Sequence, residues 1–222
     1  MSCLIGLHLG GYVILGADRM VYHPNEITYT QKIARTRFGL VAGCGLAELT
    51  DNVADRLASE IPVNLEHVQC MVLDEVNSFQ GLTHVGATDI REHTMFMVTG
   101  SDAATHLVAL NYLTPENQYL ALPIVAGRGL PIVPMDAPAG AFEEMVEAMS
   151  GGIRMATSAD DGEALSENIR HHSRIIGEQI GWIAHRSRTV SPEFQIAVHL
   201  PSGIRISEVL SAADQAPVFR EI

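Results

Sequence analysis

The residues of this chain that could do chemistry together are Ser2, Asp18 and Lys32. Ser2 follows Met1, and a small second residue is what methionine aminopeptidase accepts, so we expect Ser2 to become the mature N-terminus. The α-amine of a free N-terminus has an unperturbed pKa of about 7.7–8.0. Such an amine can take the hydroxyl proton while the serine oxygen attacks a carbonyl carbon. The sequence therefore predicts a nucleophile that carries its own general base.

Two charged residues and a glycine turn would complete a hydrolytic site. An ammonium group on Lys32 would favour the neutral form of the nearby α-amine by like-charge repulsion. Asp18 would keep Lys32 charged and correctly aimed. Gly43 begins a Gly-Cys-Gly turn between a predicted strand and a predicted helix, where backbone N–H groups can bind a developing oxyanion. Each residue alone is typical of a turn, a surface charge or tight packing, so the prediction depends on their combination.

The elements that must position these residues follow from the spacing of apolar side chains. Two apolar runs separated by Gly10-Gly11 predict a β-hairpin. Apolar residues at helical spacing predict four helices, and the Gly- and Pro-rich stretch 127–141 predicts a loop. The predicted strands cover 4–9, 12–15, 27–29, 33–37, 38–43, 94–99, 106–112, 119–125, 194–200 and 204–209, and the helices cover 46–57, 65–76, 142–149 and 169–183.

The order of these elements is strands, two helices, strands, helices, strands, which predicts an α+β fold. Each block of strands needs helices over one face and a second sheet against the other. A four-layer αββα sandwich satisfies both needs. We find no linker and no internal repeat in the sequence, so we predict a single domain over residues 1–222.

Composition excludes several classes of protein. A net charge of −12 argues against a nucleic-acid surface. No apolar run reaches the roughly 18 residues of a membrane span. The first residues lack a charged region followed by an apolar one, so we expect no secretion signal. Cys3, Cys44 and Cys70 are widely spaced, which indicates reduced thiols in the cytoplasm. The ten histidines are scattered, so we predict neither a metal site nor a cofactor.

The N-terminal residues resemble the proteasome β-subunit family of N-terminal-nucleophile hydrolases and its bacterial relatives, such as HslV, Anbu and the β-proteobacterial homologue. That family begins with a nucleophilic threonine, then a hairpin and a Gly-Ala-Asp strand end, which this chain matches from Ser2 to Asp18. Lys32 matches the catalytic lysine of the family, and Gly43 matches the glycine of its oxyanion amide. Beyond the helix predicted at 46–57, the resemblance lies mainly in the order of elements.

This resemblance implies a bacterial, self-compartmentalising peptidase that cleaves peptides or unfolded proteins. Twelve or fourteen identical subunits would stack in two rings around the sites, with an ATP-dependent unfoldase as a potential partner. Charged residues form 18% of the chain, below the usual share of about 25%, which also favours an assembly. The two helices at 46–57 and 65–76 would form the contacts, with Cys70, Met71 and Leu73 outside the core stripe.

Three positions depart from the family and leave alternatives open. The nucleophile is serine instead of threonine. The family has a Gly-Ser-Gly whose serine supports the amine, but here Arg128 stands between the glycines, with Ser150 as a substitute. The aspartate that the family carries before its last strands is replaced by Ser187. The alternatives are a weak or inactive ring-forming homologue with a structural or binding role, and a small-molecule amidase on the same fold.

Overall fold

Four helices and fourteen strands form the part of the chain described by the computed structural model, residues 2–23, 26–79, 94–101, 105–113, 119–156, 162–207, 209–211 and 219–221. The helices are α1 (Ala47–Ser59), α2 (Leu65–Ser78), α3 (Ala141–Ser150) and α4 (Gly162–Ala184). The strands are β1 (Leu4–His8), β2 (Val13–Asp18), β3 (Met20–His23), β4 (Glu26–Tyr29), β5 (Ile33–Arg35), β6 (Leu40–Cys44), β7 (Met95–Ser101), β8 (Thr105–Leu113), β9 (Tyr119–Pro123), β10 (Arg128–Ile132), β11 (Glu193–Leu200), β12 (Gly203–Ser207), β13 (Leu210–Ser211) and β14 (Phe219–Glu221). The predicted α+β class is confirmed.

The predicted hairpin about Gly10-Gly11 is confirmed and forms the centre of a seven-stranded sheet. β1 and β2 pair antiparallel, with Leu4 opposite Ala17 and His8 opposite Val13. Gly10 has a φ of +87°, a conformation that glycine adopts without steric cost. The sheet runs β10-β1-β2-β11-β12-β14, and β13 pairs with β11. Both strands of the hairpin lie inside the sheet, and their apolar runs are buried on both faces because the apolar cores described below cover each face.

The prediction of a loop over 127–141 is wrong at its start, where residues 128–132 form β10. This strand pairs antiparallel with β1, with Ile132 opposite Leu4. β10 lies at the edge of the sheet, where the N–H group that Pro131 lacks is not needed for a second ladder. Pairing with β1 therefore outweighs the unfavourable strand propensity of glycine and proline. The apolar pattern also does not predict the short strands β3, β13 and β14.

A second, five-stranded antiparallel sheet carries Lys32 at one edge and Gly43 in its interior. Its order is β5-β6-β7-β8-β9, and Ile33 at the start of β5 pairs with Ala42 of β6. Strand β6 leads through Gly45 into α1, so the predicted change from strand to helix is confirmed. In the stretch of sequence between β2 and Lys32, β3 and β4 form a separate two-stranded sheet.

Three apolar cores connect the sheets and helices. The first joins α3 and α4 to the seven-stranded sheet, for example through Met145, Ile176 and Ile5. The second contains residues of both sheets, such as Leu15 and Met97. The third joins α1 and α2 to the five-stranded sheet. Alternate residues of β1 enter the first and second cores, which shows why this strand lacks a polar face.

Two neighbouring histidines tie the segment after α3 to α4. His172 is fully buried; its Nε2 accepts the N–H of Arg154 at 3.0 Å, and its Nδ1–H donates to the carbonyl of Asn168 at 2.8 Å. Burial lowers the pKa of His172 from 6.5 to about 4. The neighbouring His171 bonds to the carbonyl of Gly152 at 2.8 Å. Neutral His172 satisfies both partners, whereas protonated Nε2 would face the N–H of Arg154.

We expect acid to destabilise the fold through His172. The folded chain binds this proton less tightly than the unfolded chain, so the stabilisation is complete above about pH 6.5 and is lost as the pH falls towards 4. A pKa lowered from 6.5 to about 4 corresponds to about 3 kcal/mol. Urea unfolding at about pH 7.5 and about pH 4.5 should show a smaller loss for His172→Gln than for the wild type. The exposed His185→Gln serves as the control, and equal losses in all three proteins would contradict the prediction.

Candidate active site

The predicted nucleophile and lysine lie in direct contact. Ser2 precedes β1 and is only 5% exposed, and Lys32 precedes β5 of the other sheet. The Lys32 ammonium donates to the Ser2 hydroxyl oxygen at an Nζ–Oγ distance of 2.6 Å. Since this hydroxyl accepts from Lys32, its own proton remains available for donation to another acceptor.

Strand register brings Asp18 to the same place. Asp18 ends β2, where its N–H donates to the carbonyl of Cys3 at 3.2 Å and extends the β1–β2 ladder towards Ser2. In return, the N–H of Cys3 donates to Asp18 Oδ1 at 2.8 Å. The register of the hairpin therefore places the carboxylate of Asp18 beside the residue that follows the nucleophile.

The Lys32 ammonium group is surrounded by four hydrogen-bond acceptor atoms. Its Nζ lies 3.0 Å from both carboxylate oxygens of Asp18 and also donates to the carbonyl of Met20. Together with Ser2 Oγ, four acceptor atoms surround an ammonium group that has three protons. The protonated form of Lys32 is thus fully hydrogen-bonded, and its direction is determined by groups on β2, on β3 and at the N-terminus.

Asp18 is buried among hydrogen-bond donors. Besides Lys32 and the N–H of Cys3, its carboxylate accepts the N–H of Met20 at 2.9 Å and the N–H of Ser191 at 3.4 Å. The bond from Met20, two residues on, is the local contact that aspartate typically makes in a turn. Three backbone donors therefore position the carboxylate that aims Lys32.

Burial governs the electrostatics of this pair. The side chains of Lys32 and Asp18 are only 7% and 0% exposed. Burial lowers the pKa of Lys32, and the neighbouring Asp18 carboxylate opposes that shift. Burial likewise raises the pKa of Asp18, against the effect of Lys32 and the amide donors. A lysine with a lowered pKa releases its proton more readily than a lysine in water.

Two cysteines lie beside the site, and both are poor nucleophiles. Cys3 adjoins Ser2, and burial raises its pKa well above the ordinary value. Burial also raises the pKa of Cys44, at the end of β6, to about 11. Both thiols are protonated at neutral pH, and the thiolate is the reactive form of cysteine. Ser2 is therefore the better candidate nucleophile.

Gly43 lies inside β6, one residue before the strand ends, and faces α1. A Cβ atom on Gly43 would lie 2.4 Å from the Cγ2 of Thr50, so glycine permits the close packing of α1 on the sheet. The turn itself is made by Gly45, whose φ is +121°. The assignment of the oxyanion amide to Gly43 stays a prediction.

The substitutes considered for the missing family residues have other partners. Ser150 is exposed at the end of α3, and its hydroxyl donates to the carbonyl of Val146 at 2.6 Å. Arg128 is exposed at the start of β10. The hydroxyl of Ser187 donates to Asp136 at 2.7 Å, a contact the sequence analysis did not identify. Of the three amide donors to Asp18, only the N–H of Met20 has a sequence signal, because aspartate commonly accepts the N–H two residues on.

No protein-family model matches the chain, and no curated protein matches it in sequence. Among the helices in the described ranges, none has both the length and the apolar character needed to cross a membrane. Within the same ranges, no group of three His, Cys, Asp or Glu side chains comes together as a metal site.

We expect Asp18→Asn to lower the free energy of unfolding by about 3–5 kcal/mol, because it leaves a buried ammonium without its counter-charge. The double variant Asp18→Asn/Lys32→Met removes both charges and should recover much of that loss. Urea unfolding measures both effects. The exposed Asp51→Asn on α1 is the matched control and should change stability by about 0.5 kcal/mol at most. If Asp18→Asn lowered the free energy of unfolding no more than this control, Asp18 would not be the counter-charge on which buried Lys32 depends.

Proposed function

We propose that the mature chain is a proteasome-like peptidase that hydrolyses amide bonds with Ser2 as an N-terminal nucleophile. The observation that carries the proposal is the 2.6 Å contact between Lys32 Nζ and Ser2 Oγ, with Lys32 held by Asp18. Three residues chosen for their chemistry, up to 30 positions apart, thus form one hydrogen-bonded chain. This is also the grouping expected from the resemblance to the proteasome β-subunit family.

The proposed reaction proceeds through an ester of Ser2. Removal of Met1 frees the α-amine, which accepts the hydroxyl proton as Oγ bonds to the carbonyl carbon of the substrate. Lys32 stabilises the developing charge on Oγ and disfavours protonation of the amine beforehand. The amide C–N bond then breaks, and the leaving amine takes the proton from the α-ammonium group of Ser2. A water molecule hydrolyses the ester by the same route, which releases a carboxylic acid and restores Ser2.

The cost of burying these charges favours a catalytic chain over an inactive structural homologue. A buried ion pair contributes little net stability, and apolar residues of similar volume often replace it without loss. A purely structural protein therefore has little reason to keep Lys32 and Asp18 in its core. The same cost gives no preference between peptides and small amides, so the peptide substrate is drawn from the family resemblance.

We also propose that the three cores together form the four-layer αββα sandwich typical of N-terminal-nucleophile hydrolases. In its support, α3 and α4 share one core with the seven-stranded sheet, and α1 and α2 share another with the five-stranded sheet. The second core borders the site, since it contains Ala17 and Ile33, the chain neighbours of Asp18 and Lys32. That the whole chain is one domain stays a prediction.

The proposed assembly is a homo-oligomer of stacked rings in the cytoplasm, with an unfoldase as a further potential partner. In its support, the connection between α1 and α2 exposes Ile61 by 66% and Val63 by 80%. Contiguous exposed apolar patches are typical of contact surfaces, and these two side chains lie two positions apart in the sequence. Cys70 is exposed as well, but Met71 is only 2% exposed within the third core, so its prediction as a contact is wrong. Met71 is an additional member of the buried face of α2.

Ser2→Ala should lower hydrolysis by about a thousandfold or more while the fold is kept, because a nucleophile has no substitute in this chemistry. Intact mass should show that Met1 is absent from the wild type and that an electrophilic β-lactone adds once, at Ser2. Cys3→Ala is the matched control and should keep the adduct. Equal hydrolysis by wild type and Ser2→Ala would contradict the assignment.

Lys32→Arg should be about as inactive as Ser2→Ala, because residues that act as one unit lose function together. Arginine keeps the charge but has a planar, bulkier head group and does not give up its proton. The rate of β-lactone addition to Ser2 measures this effect. Exposed Arg35→Lys provides the control exchange. Lys32→Arg with most of the wild-type rate would mean that Lys32 acts only as a charge.

Light scattering at micromolar concentration should give a mass many times that of one 24.0 kDa chain. Val63→Asp should dissociate the assembly, because it places a charge in the proposed contact. Val125→Asp alters a side chain that is 63% exposed elsewhere and should leave the mass unchanged. A wild-type mass near 24.0 kDa would overturn the ring proposal.

A further inference from the structure

A second polar cluster lies outside the Ser2 site, where Asp136 joins two loops that are far apart in sequence. Asp136 lies between β10 and α3, and its Oδ1 accepts the hydroxyls of Ser187 at 2.7 Å and Thr189 at 2.8 Å. Its Oδ2 accepts the N–H of Arg188 at 2.8 Å. One carboxylate thus holds three consecutive residues of the loop between α4 and β11.

The charged form of Asp136 matches this set of donors. Partial burial acts to raise the pKa of Asp136, but the bonds from Ser187, Thr189 and the N–H of Arg188 lower it below its usual range. Hydrogen bonds to an ionised carboxylate are stronger than those between neutral groups. These charge-assisted bonds can therefore hold the loop in place, although Asp136 is exposed at the surface of the protein.

The same loop reaches the buried site two residues later. Ser191 is fully buried, and its N–H donates to Asp18 Oδ2 at 3.4 Å. Its hydroxyl donates to the carbonyl of Glu193 at 2.6 Å, and Val190 packs into the first core. Residues 187–191 of this loop therefore contact the Asp136 carboxylate at one end and the Asp18 carboxylate at the other.

The contact of Ser191 is the one most sensitive to the position of this loop. At 3.4 Å it is the longest of the three backbone bonds to Asp18, compared with 2.8 Å from Cys3 and 2.9 Å from Met20. Those two donors adjoin Asp18 through the hairpin and the local turn. Ser191 depends instead on a loop that is anchored by Asp136 and by the bond from the Ser187 N–H to the carbonyl of Ile183 at 2.9 Å.

We propose that Asp136 is a positioning residue that holds residues 187–189 so that the N–H of Ser191 stays on Asp18, which in turn aims Lys32 at Ser2. The catalytic effect rests on the proposed function, whereas the hold on the loop does not. The family resemblance implies an aspartate at the place of Ser187. Here the carboxylate comes from a different loop and meets the hydroxyl of Ser187.

Three variants separate positioning from general stability. Asp136→Ala removes all three acceptor contacts, Thr189→Val removes one hydroxyl with little change of shape, and Glu147→Gln removes an exposed carboxylate of α3 as the control. Misplacement of a catalytic group by about 1 Å can cost about 100-fold. In the mature protein, Asp136→Ala should lower β-lactone addition to Ser2 and the kcat for a fluorogenic peptide by about 10- to 100-fold, with KM changed by about threefold at most. Thr189→Val should fall between Asp136→Ala and the unchanged control.

Hydrogen exchange read by mass spectrometry tests the hold on the loop without any activity. Peptides covering residues 186–195 should exchange faster in Asp136→Ala than in the wild type and Glu147→Gln. Unchanged exchange overturns the proposal, and so does an addition rate per folded molecule within about twofold of the wild type. If wild-type Ser2 does not react at all, the proposed function fails, and the exchange rate alone decides whether Asp136 positions the loop.

Discussion

The buried contact between Lys32 and Asp18 is the constraint on which the surrounding structure depends. Two charges with 7% and 0% exposed side chains must find their hydrogen-bond partners inside the protein. The partners come from residues next to Ser2, from the turn at Met20 and from Ser191 before β11. Four separate stretches of chain therefore meet at one ion pair: three of them present a backbone group there, and the fourth presents the Lys32 side chain.

The sequence predicts the central part of the fold better than its edges. The β1–β2 hairpin and the switch from β6 to α1 have strong local signals, namely apolar runs, paired glycines and a change of period. β10 has no such signal, since glycine and proline disfavour strands, and it forms because β1 offers a free edge. Met71 shows a similar limit, because the apolar stripe of α2 is wider than its helical spacing alone indicates.

In the candidate site, the sequence predicts the side chains but not the backbone groups that position them. Ser2, Asp18 and Lys32 could be identified because their side-chain chemistry is distinctive and their order matched a known pattern. The amide donors of Cys3, Met20 and Ser191 could not, because every residue except proline has the same N–H group. The role of Asp136 could not be predicted for a different reason. Its partners lie more than 50 positions away, and carboxylates in loops are common. Only tertiary structure reveals which loop a surface aspartate holds.

The hairpin register has a consequence for how this chain can evolve. Because side chains alternate between the two faces of a strand, one residue inserted or deleted between Ser2 and Gly10 would move the serine to the opposite face of the sheet. It would then point towards the helices and away from Lys32. β1 is also paired on both sides, so it cannot slide to compensate. The length of this first segment is therefore fixed by geometry, and homologous chains that keep the chemistry must keep the count of residues while their composition varies.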